Sequence, residues 1–515
     1  MLEPRIASDS ESPPTETLSA AEQRVDRLRR SAGLFAGPLL FAALLLFPLP
    51  LPDPAAGRLA AVLGLVLVWW MTEAVPIPVT SLLGPALAVV LGIGSAAETF
   101  APFGDPIVFL FLGSFLLAEA MAASGLDRRI ALAVLARPAV AASPTRILVA
   151  FGVLTAGISG WLNNTATTAI VFPIALSVLA ALARAKGPGT DPRRLRWGTA
   201  LMLTVGYAAS IGGMATPVGT APNMITLGQL EALAGVRIPF FHFLVVGTPV
   251  ALVMLALLLG WLRFALPPDV PPPARTALLE GDASRAGPLS RRERNVLAVF
   301  ALTVAAWVAP GLLAVVLGPE APLVARLDAL LPEPVVAVLG AGLLFVLPVD
   351  WAARRFTLEW HEAARIDWGT LLLFGGGLAL GGAMFRTGLA EALGAGLVAW
   401  TGSHSLPALT FLFAWVALLL TETTSNTATA TMLAPLVIAS AQAAGVSPVP
   451  PALAVALMSS MGFMLPVSTP PNAIVYGSGC IPILAMARNG LVLDLASALL
   501  VPAMVLASCR LLGFD

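Results

Sequence analysis

The sequence is poor in charged residues, cysteine and histidine, and each scarcity excludes a class of protein. Only 11% of its 515 residues are charged, whereas 58% are hydrophobic and the mean hydropathy is +0.88. Such a composition excludes a soluble globular domain and predicts a bundle of membrane helices, because lipid tolerates only internally hydrogen-bonded backbones. Two cysteines in apolar stretches, Cys480 and Cys509, indicate neither a disulfide framework nor a metal site.

Charge patterning and missing motifs exclude further functions. The formal net charge is zero and no basic run resembles a nucleic-acid patch, so nucleic acid is not an expected partner. No His/Cys/Asp/Glu cluster has catalytic spacing, which disfavours a membrane-embedded enzyme and predicts no organic cofactor. No phosphate-binding loop is present, which disfavours a primary pump.

The hydropathy pattern predicts an all-α polytopic membrane protein with about eleven transmembrane helices, because about 20 apolar residues span a bilayer. Two further segments, 146–182 and 407–441, are too polar at their centres to cross unbroken, and we predict re-entrant hairpins there. Residues 124–140 and 387–402 are predicted to lie at opposite interfaces. The predicted spans lie near 33–52, 57–74, 77–95, 106–123, 198–235, 240–265, 295–317, 332–349, 368–386, 450–485 and 489–512.

The segments fall into two halves that enter the membrane from opposite sides, which predicts two inverted-topology repeats with hairpin tips meeting near the midplane. The predicted organisation is a disordered cytoplasmic tail (1–30), a first transmembrane helix (31–56), repeat 1 (57–267) with a cytoplasmic-side hairpin (146–182) and a broken helix (198–235), a cytoplasmic linker (268–294), and repeat 2 (295–515) with an exterior-side hairpin (407–441) and a broken helix (450–485).

The basic residues predict the orientation. With the N-terminus in the cytoplasm and neither hairpin crossing, almost all of the 29 Lys and Arg residues fall inside. This bias sets orientation in membranes, so we expect an integral protein of the inner (cytoplasmic) membrane with a cytoplasmic N-terminus. The exceptions are Arg58, Arg237, Arg326, Arg386 and Arg510.

One polar motif occurs twice. Residues 163–174 read NNTATTAIVFPI and residues 425–436 read SNTATATMLAPL. Each copy is followed by a Gly/Pro-rich segment, TPVGTAPN at 216–223 and LPVSTPPN at 465–472. Broken polar segments in corresponding positions of two apolar halves indicate a transporter binding site.

The residue types in these motifs suit a small dianion and a cation. Asn and Thr side chains are neutral donors, and each helix N-terminus carries about half a positive charge, so together they can bind an anion. Amide carbonyls, hydroxyls and unwound main-chain carbonyls can hold Na⁺. Simple hydrogen bonding between packed helices is the alternative, and it explains two matching copies poorly.

These motifs resemble those of the divalent anion/sodium symporter family, which carries di- and tricarboxylates or sulfate. The hallmark Ser-Asn-Thr stands at 425–427, with Asn-Asn-Thr at 163–165 in the first copy, and WWMTEAVPIPVTSLL at 69–83 is similar to a further family signature. The resemblance runs from about residue 31 to the C-terminus. It implies a secondary active transporter of dicarboxylates coupled to Na⁺, working as a homodimer in membrane lipid by an elevator mechanism.

The resemblance also implies the site residues. Two positions depart from the family pattern, because Asn163 stands where Ser is usual and Ala221 where Pro is frequent. The departure at Asn163 makes a sodium-independent dicarboxylate exchanger an alternative. A sodium-coupled sulfate transporter is a further alternative, because the same neutral donors would suit a tetrahedral dianion. The implied anion ligands are Asn164, Thr165, Thr220, Ser425, Asn426, Thr427, Thr469 and Pro470; sodium site 1 comprises Ser159, Asn163, Asn164 and Gly219, and sodium site 2 comprises Thr421, Ser425, Asn426 and Ser468.

Other polar residues have structural interpretations. Glu73 and Glu422 lie in apolar sequence, where an ionisable group is either functional or paired with a backbone donor or an Arg. Asp105 and Asp367 occupy matching positions before two helices and are predicted N-caps. The glycines of 375–377 are predicted to permit close helix packing.

Overall fold

The computed structural model describes residues 20–51, 53–135, 137–187, 189–271, 287–318 and 320–514, and these are almost entirely helical. Helix α1 begins at Ala20. Residues 20–30 are therefore helical, whereas the sequence predicted that they belong to a disordered tail. Residues 1–19 and most of the predicted linker lie outside the described residues. A single small hairpin, β1 (Pro348–Asp350) with β2 (Arg355–Phe356), interrupts the helices in the described part.

The helices through the end of the first repeat are α1 (Ala20–Leu46), α2 (Pro54–Thr72), α3 (Ile77–Val90), α4 (Ala96–Phe100), α5 (Pro106–Ser124), α6 (Leu126–Leu135), α7 (Pro138–Ala141), α8 (Pro144–Ser159), α9 (Asn164–Lys186), α10 (Arg196–Gly213), α11 (Ala221–Ala234) and α12 (Phe240–Ala265), with short 3-10 turns at Ala101–Gly104, Pro192–Arg194 and Pro217–Gly219. Those of the second repeat are α13 (Arg291–Leu317), α14 (Pro322–Leu330), α15 (Glu333–Val346), α16 (Trp360–Ala363), α17 (Trp368–Arg386), α18 (Leu389–Thr401), α19 (Leu406–Thr421), α20 (Asn426–Ala443), α21 (Val449–Met458), α22 (Pro470–Tyr476) and α23 (Ile483–Leu512).

Eight described helices are long and apolar enough to cross a membrane, or ten if two bent pairs each form one span. This is fewer than the eleven predicted spans. Part of the difference lies in α3, which has 14 residues, and in the second broken helix, whose halves α21 and α22 have 10 and 7.

The four predicted interruptions are present. The helices of each predicted hairpin are separated by a short tip, the first tip at 160–163 and the second tip at 422–425. The broken helices are each divided by a longer irregular segment, the first break at 214–220 and the second break at 459–469.

The two repeats pack against each other reciprocally. Helix α3 packs on α17 while α15 packs on α5, and α9 packs on α22 while α20 packs on α11. A two-fold arrangement of the repeats produces this exchange of partners, and it brings each hairpin against the other repeat's broken helix.

Glycines make two of these reciprocal contacts possible. A Cβ on Gly113 of α5 would lie 2.5 Å from the backbone of Ala337, and one on Gly376 of α17 would lie 2.2 Å from the carbonyl oxygen of Ser81. Small residues at such crossings let helix backbones approach closely, as predicted for the glycines of α17.

Polar groups at the helix ends agree with the predicted roles. Asp105 caps α5 by accepting a hydrogen bond from the amide of Ile107, and Asp367 caps α17 through Thr370, which confirms both predicted N-caps. Several ion pairs join segments that are distant in sequence, and each joins residues that the basic-residue pattern places on one side of the membrane. These pairs are Arg129–Glu293, Arg292–Glu362, Lys186–Asp269 and Arg237–Glu333.

Candidate functional site

The repeated polar segments line a single cavity of about 870 Å³. All eight residues predicted to bind the anion line it, together with the predicted sodium ligands Asn163, Gly219 and Ser468. The remaining two predicted ligands, Ser159 and Thr421, are fully buried at the ends of α8 and α19, directly beneath the tips.

The two tips have the same internal hydrogen bond. The Ser159 hydroxyl donates to Oδ1 of Asn164 at 2.8 Å. The Thr421 hydroxyl lies 2.8 Å from Oδ1 of Asn426 and 2.6 Å from the carbonyl oxygen of Ser459, and its proton is shared between these two acceptors. In both cases the donor ends one helix and the acceptor begins the next, so the bond closes the tip. The repeated Asn is thereby held with its side chain at the cavity wall.

The two breaks are also held alike. The Asn223 amide donates to the carbonyls of Gly213 at 3.1 Å and Thr216 at 2.8 Å. The Asn472 amide donates to the carbonyls of Gly462 at 3.0 Å and Leu465 at 3.1 Å. At each break, two backbone carbonyls lack the hydrogen bond that a continuous helix would give them. The Asn side-chain amide donates to both in its place.

Sequence analysis assigned no role to Asn223 and Asn472. The available signal was their repetition at the ends of TPVGTAPN and LPVSTPPN. Their location also explains why they were missed, because each side chain is fully buried and does not line the cavity.

Hydroxyls join the tips to the breaks. Thr216 donates to the carbonyl of Gly160 in the first tip, and Ser468 donates to Oε2 of Glu422 in the second tip at 2.7 Å. Each hairpin is thus connected to the broken helix of its own repeat at the level of the cavity.

Oxygen atoms crowd together at the predicted first sodium site. A Cβ on Gly213 would lie 2.3 Å from Oδ1 of Asn164 and 3.1 Å from the carbonyl oxygen of Gly219. A Cβ on Gly219 would lie 2.6 Å from the Gly213 carbonyl oxygen and 2.9 Å from that of Gly160. Such a cluster of side-chain and unwound main-chain oxygens has the donor chemistry that Na⁺ requires, and the glycines leave room for it.

The predicted second sodium site has a corresponding arrangement. A Cβ on Gly462 would lie 3.0 Å from the carbonyl oxygen of Thr421 and 3.0 Å from Cβ of Ser468. Gly462 corresponds to Gly213 and Ser468 to Gly219 in the aligned breaks. The second site can therefore add the Ser468 hydroxyl to its oxygen ligands.

The first residues of the two motif copies differ in their bonding. Oδ1 of Asn163 accepts a hydrogen bond from the amide of Ala166 at 2.7 Å, so this side chain caps α9. Ser425, at the same position before α20, accepts no such capping bond. The Asn at 163 thus uses its side-chain oxygen for helix capping, whereas the Ser hydroxyl at 425 is not engaged in that way.

Helix N-termini converge on the cavity. Helices α9, α11 and α20 begin at Asn164, Ala221 and Asn426, all of which line it, and the short α22 begins there at Pro470. The positive ends of these helix dipoles face the space between the tips and favour an anion in it.

Four of the charged residues that line the cavity form ion pairs with one another. Asp26 forms ion pairs with Arg29 at 2.9 Å and with Arg30 at 2.8 Å, while Glu73 lies 3.5 Å from both arginines. Glu422 instead accepts hydrogen bonds from backbone amides of the second break. The structure therefore confirms the paired interpretation for both acids.

Comparisons with known proteins agree on family and fold. The family described as "Sodium:sulfate symporter transmembrane region" matches residues 29–513. The chain is 35% identical over 481 residues to the "Sodium-dependent dicarboxylate transporter SdcS" of Staphylococcus saprophyticus, covering 92% of this chain and 90% of the relative. It is 34% identical to the SdcS protein of Staphylococcus aureus strain USA300, covering 91% and 89%.

Solved structures of more distant transporters share the fold. The Alcanivorax borkumensis YdaH transporter is similar with a TM-score of 0.54 at 15% identity, covering 93% of this chain and 98% of that one. Neisseria gonorrhoeae MtrF, described as illuminating a class of antimetabolite efflux pumps, is similar with a TM-score of 0.54 at 14% identity, covering 94% and 96%.

Proposed function

The chain belongs to the sodium:sulfate symporter family, and from that premise we propose that it is a secondary active transporter that carries C4-dicarboxylates across the inner membrane together with Na⁺. The relatives named sodium-dependent dicarboxylate transporters favour a dicarboxylate over sulfate as the anion. The family and these relatives are transporters, so the chain is not an enzyme.

One observation carries the proposal. Both copies of the Asn-Thr motif line the same cavity together with part of each break, although the two copies are separated by more than 200 residues in sequence. Neutral donors and helix N-termini surround the space between the tips, and none of the motif residues is basic. An anion bound there would be held by hydrogen bonds and dipoles, which avoids the cost of burying a permanent positive charge.

The oxygen clusters can couple transport of the anion to binding of Na⁺. Oδ1 of Asn164 and the carbonyl oxygens of Gly213 and Gly219 lie close together at the predicted first site, where one cation could bind them. Bound Na⁺ would draw the tip and the break together and add positive charge beside the anion. Binding of the anion would thereby depend on prior or simultaneous binding of Na⁺.

The predicted orientation makes this an inward-open conformation. The cavity reaches Arg29, Arg365 and Asp367, which the basic-residue pattern places on the cytoplasmic side with the N-terminus. Transport would then require the hairpins and broken helices to carry the site to the other side, as in an elevator within a homodimer. The ion pairs that join same-side residues support the predicted assignment of these loops to common sides of the membrane.

Uptake of radiolabelled succinate into proteoliposomes tests the proposal. We expect uptake with Na⁺ outside, little uptake when K⁺ replaces it, and inhibition by unlabelled dicarboxylates but not by sulfate. Uptake that ignores Na⁺ and needs preloaded dicarboxylate would instead make the protein an exchanger. Inhibition by sulfate, with sodium-driven sulfate uptake, would reassign the anion.

A further inference from the structure

The β-hairpin of β1 and β2 follows α15 directly, and the transport site does not account for it. None of its residues lines the cavity. Strand β1 begins at Pro348, two residues after α15 ends at Val346, and two residues span at most about 7 Å. Helices α14 and α15 together are long and apolar enough to form one bent membrane span. The hairpin therefore begins at the surface of the membrane.

The base of the hairpin is held in place by α13. Thr357 follows β2, is fully buried, and donates its hydroxyl proton to the carbonyl of Leu347 at 2.9 Å. The same hydroxyl accepts a hydrogen bond from the Asn295 amide at 2.8 Å, and the Thr357 carbonyl accepts one from Nε of Arg292 at 2.9 Å. Because its base is bonded to a membrane helix, the hairpin has a fixed position at the membrane surface.

The tip of the hairpin exposes one aromatic ring and two arginines. Trp351 is 73% exposed, and Arg354 and Arg355 are exposed as well. The turn is closed by the left-handed backbone of Arg354, with φ of 50°, and by a hydrogen bond from the amide of Ala353 to the Asp350 carboxylate at 3.1 Å. Asp350 stands opposite Arg355 in the register, yet neither arginine forms an ion pair within the described chain.

A second exposed tryptophan lies beside the last turn of α15. Trp360 is 68% exposed, and the centre of its ring lies 6.4 Å from that of Phe345. Since Phe345 belongs to the membrane helix, the Trp360 ring lies at the end of the span. Tryptophan rings are enriched at this depth, where one part of the ring is apolar and its N–H meets polar groups. The contact therefore places the region at the level of the lipid headgroups, as the chain connection does.

The start of α13 adds positive charge beside the hairpin. Arg291 and Arg294 are exposed, and they flank the residues of α13 that hold the hairpin base. Neither forms an ion pair with any residue that the structure describes. Two nearby acids already have partners, in the pairs Arg292–Glu362 and His361–Glu359. The exposed arginines thus outnumber the acids that could neutralise them.

We propose that the hairpin and the start of α13 form a binding surface for the headgroups of anionic phospholipids. Guanidinium groups bind phosphate with two parallel hydrogen bonds, and exposed tryptophans insert among the headgroups. The basic-residue pattern places this surface on the cytoplasmic side, where anionic lipids attract basic segments. The surface does not depend on which anion or cation is transported. Its residues are Arg291, Arg294, Arg354 and Arg355 for the phosphate, with Trp351 and Trp360 beside them.

Lipid binding by the purified full chain tests this surface. Protein in detergent is titrated with phosphatidylglycerol, and bound lipid is counted by native mass spectrometry. The hairpin variant combines Arg354→Asn, which tolerates the left-handed backbone, with Arg355→Gln. We expect half-saturation to need at least roughly tenfold more phosphatidylglycerol, because each arginine near an anionic lipid surface contributes about fivefold to affinity. Binding of phosphatidylcholine should be the same as for the wild type.

The matched control combines Arg326→Gln with Arg386→Gln. It also removes two exposed arginines, but from the side that the basic-residue pattern predicts to be the exterior. It should bind phosphatidylglycerol as the wild type does. Unchanged binding by the folded hairpin variant would overturn the proposal, and so would an equal loss in the control, since that would be an effect of net charge alone.

Trp351→Ala decides the question if the hairpin variant does not fold, because this ring is largely exposed and its removal leaves no cavity in a core. We expect weaker binding of phosphatidylglycerol, and unchanged binding would contradict the proposal. Displacement of the lipid by inorganic phosphate would make the ligand a free anion and not a lipid. A changed oligomeric state of the hairpin variant, with lipid binding retained, would assign this surface to a second copy of the chain.

Discussion

The hydroxyl of Thr421 lies 2.8 Å from Oδ1 of Asn426, and this contact is reproduced in the other repeat by Ser159 and Asn164. The donors are different residue types, but both place a hydroxyl five residues before the Asn. The repeat therefore preserves a bonded tip as well as a similar sequence. The predictions about the site concern the Asn side chains that these tips hold at the cavity wall.

Replacing Asn426 by alanine should abolish uptake without unfolding the protein. Its side chain is only partly buried at the cavity wall, so its removal leaves no cavity in a packed core. Loss of hydrogen bonds to charged ligands costs about 1.5–3 kcal/mol each, so we expect uptake to fall by roughly 10-fold to 100-fold or more. Succinate uptake and the melting temperature are measured together.

The matched control is Asn295→Ala, whose amide donates to the Thr357 hydroxyl at 2.8 Å and which does not line the cavity. It should retain uptake. Near-normal uptake by Asn426→Ala would contradict the assignment of the site.

Replacing Gly213 by alanine should weaken sodium binding at the predicted first site. The new Cβ would lie 2.3 Å from Oδ1 of Asn164, so the tip and the break would have to separate. We expect the Na⁺ concentration for half-maximal uptake to rise at least roughly tenfold, which corresponds to about 1.4 kcal/mol. The control is Gly157→Ala in α8, because a Cβ there meets no atom within 4 Å. Equal sodium dependence of the two variants would exclude Gly213 from the site.

Replacing Asn163 by serine should preserve or strengthen the sodium dependence of uptake. Serine can cap α9 as Asn163 does, and it matches Ser425 of the second copy. Asn163→Ala should instead lower stability by about 1 kcal/mol through loss of the cap. Uptake is measured over a range of Na⁺ concentrations, and thermal unfolding is measured for both variants. A complete loss of sodium binding in Asn163→Ser would mean that the amide itself is an essential ligand.

Replacing the glycines at the reciprocal helix crossings by alanine should lower the stability of the protein. Alanine at Gly113 or Gly376 would place a Cβ 2.5 Å or less from the facing backbone, and overpacking of this kind costs typically about 1–3 kcal/mol. We expect both variants to unfold at lower temperature than the wild type. Gly342→Ala has open space around its new Cβ and serves as the control. Unaltered unfolding temperatures for both crossing variants would argue against the reciprocal packing of α5 on α15 and α17 on α3.

Much of the fold could be predicted from the sequence because the relevant signals are local. Apolar runs, Gly/Pro interruptions and an Asp before a helix each report on a few neighbouring residues, and they located the tips, the breaks and the caps of Asp105 and Asp367. The duplication then related the two halves. The start of α1 at Ala20 was missed because its first turns are polar and rich in Arg, a composition that also suits a disordered tail.

The features that sequence analysis missed depend on contacts between distant segments. Gly213 gave no signal of its own, since its importance comes from Asn164 on another helix. The capping role of Asn163 is local, but its residue type is equally consistent with a sodium ligand.

The central claim is that a sodium gradient drives dicarboxylate through the cavity formed by both repeats. The most direct test uses proteoliposomes with equal succinate concentrations inside and outside and an imposed inward Na⁺ gradient. The account predicts net accumulation of succinate inside, which collapses when the Na⁺ gradient is dissipated and does not occur with Asn426→Ala. No net movement under the gradient, with one-for-one exchange of succinate still present, would contradict it.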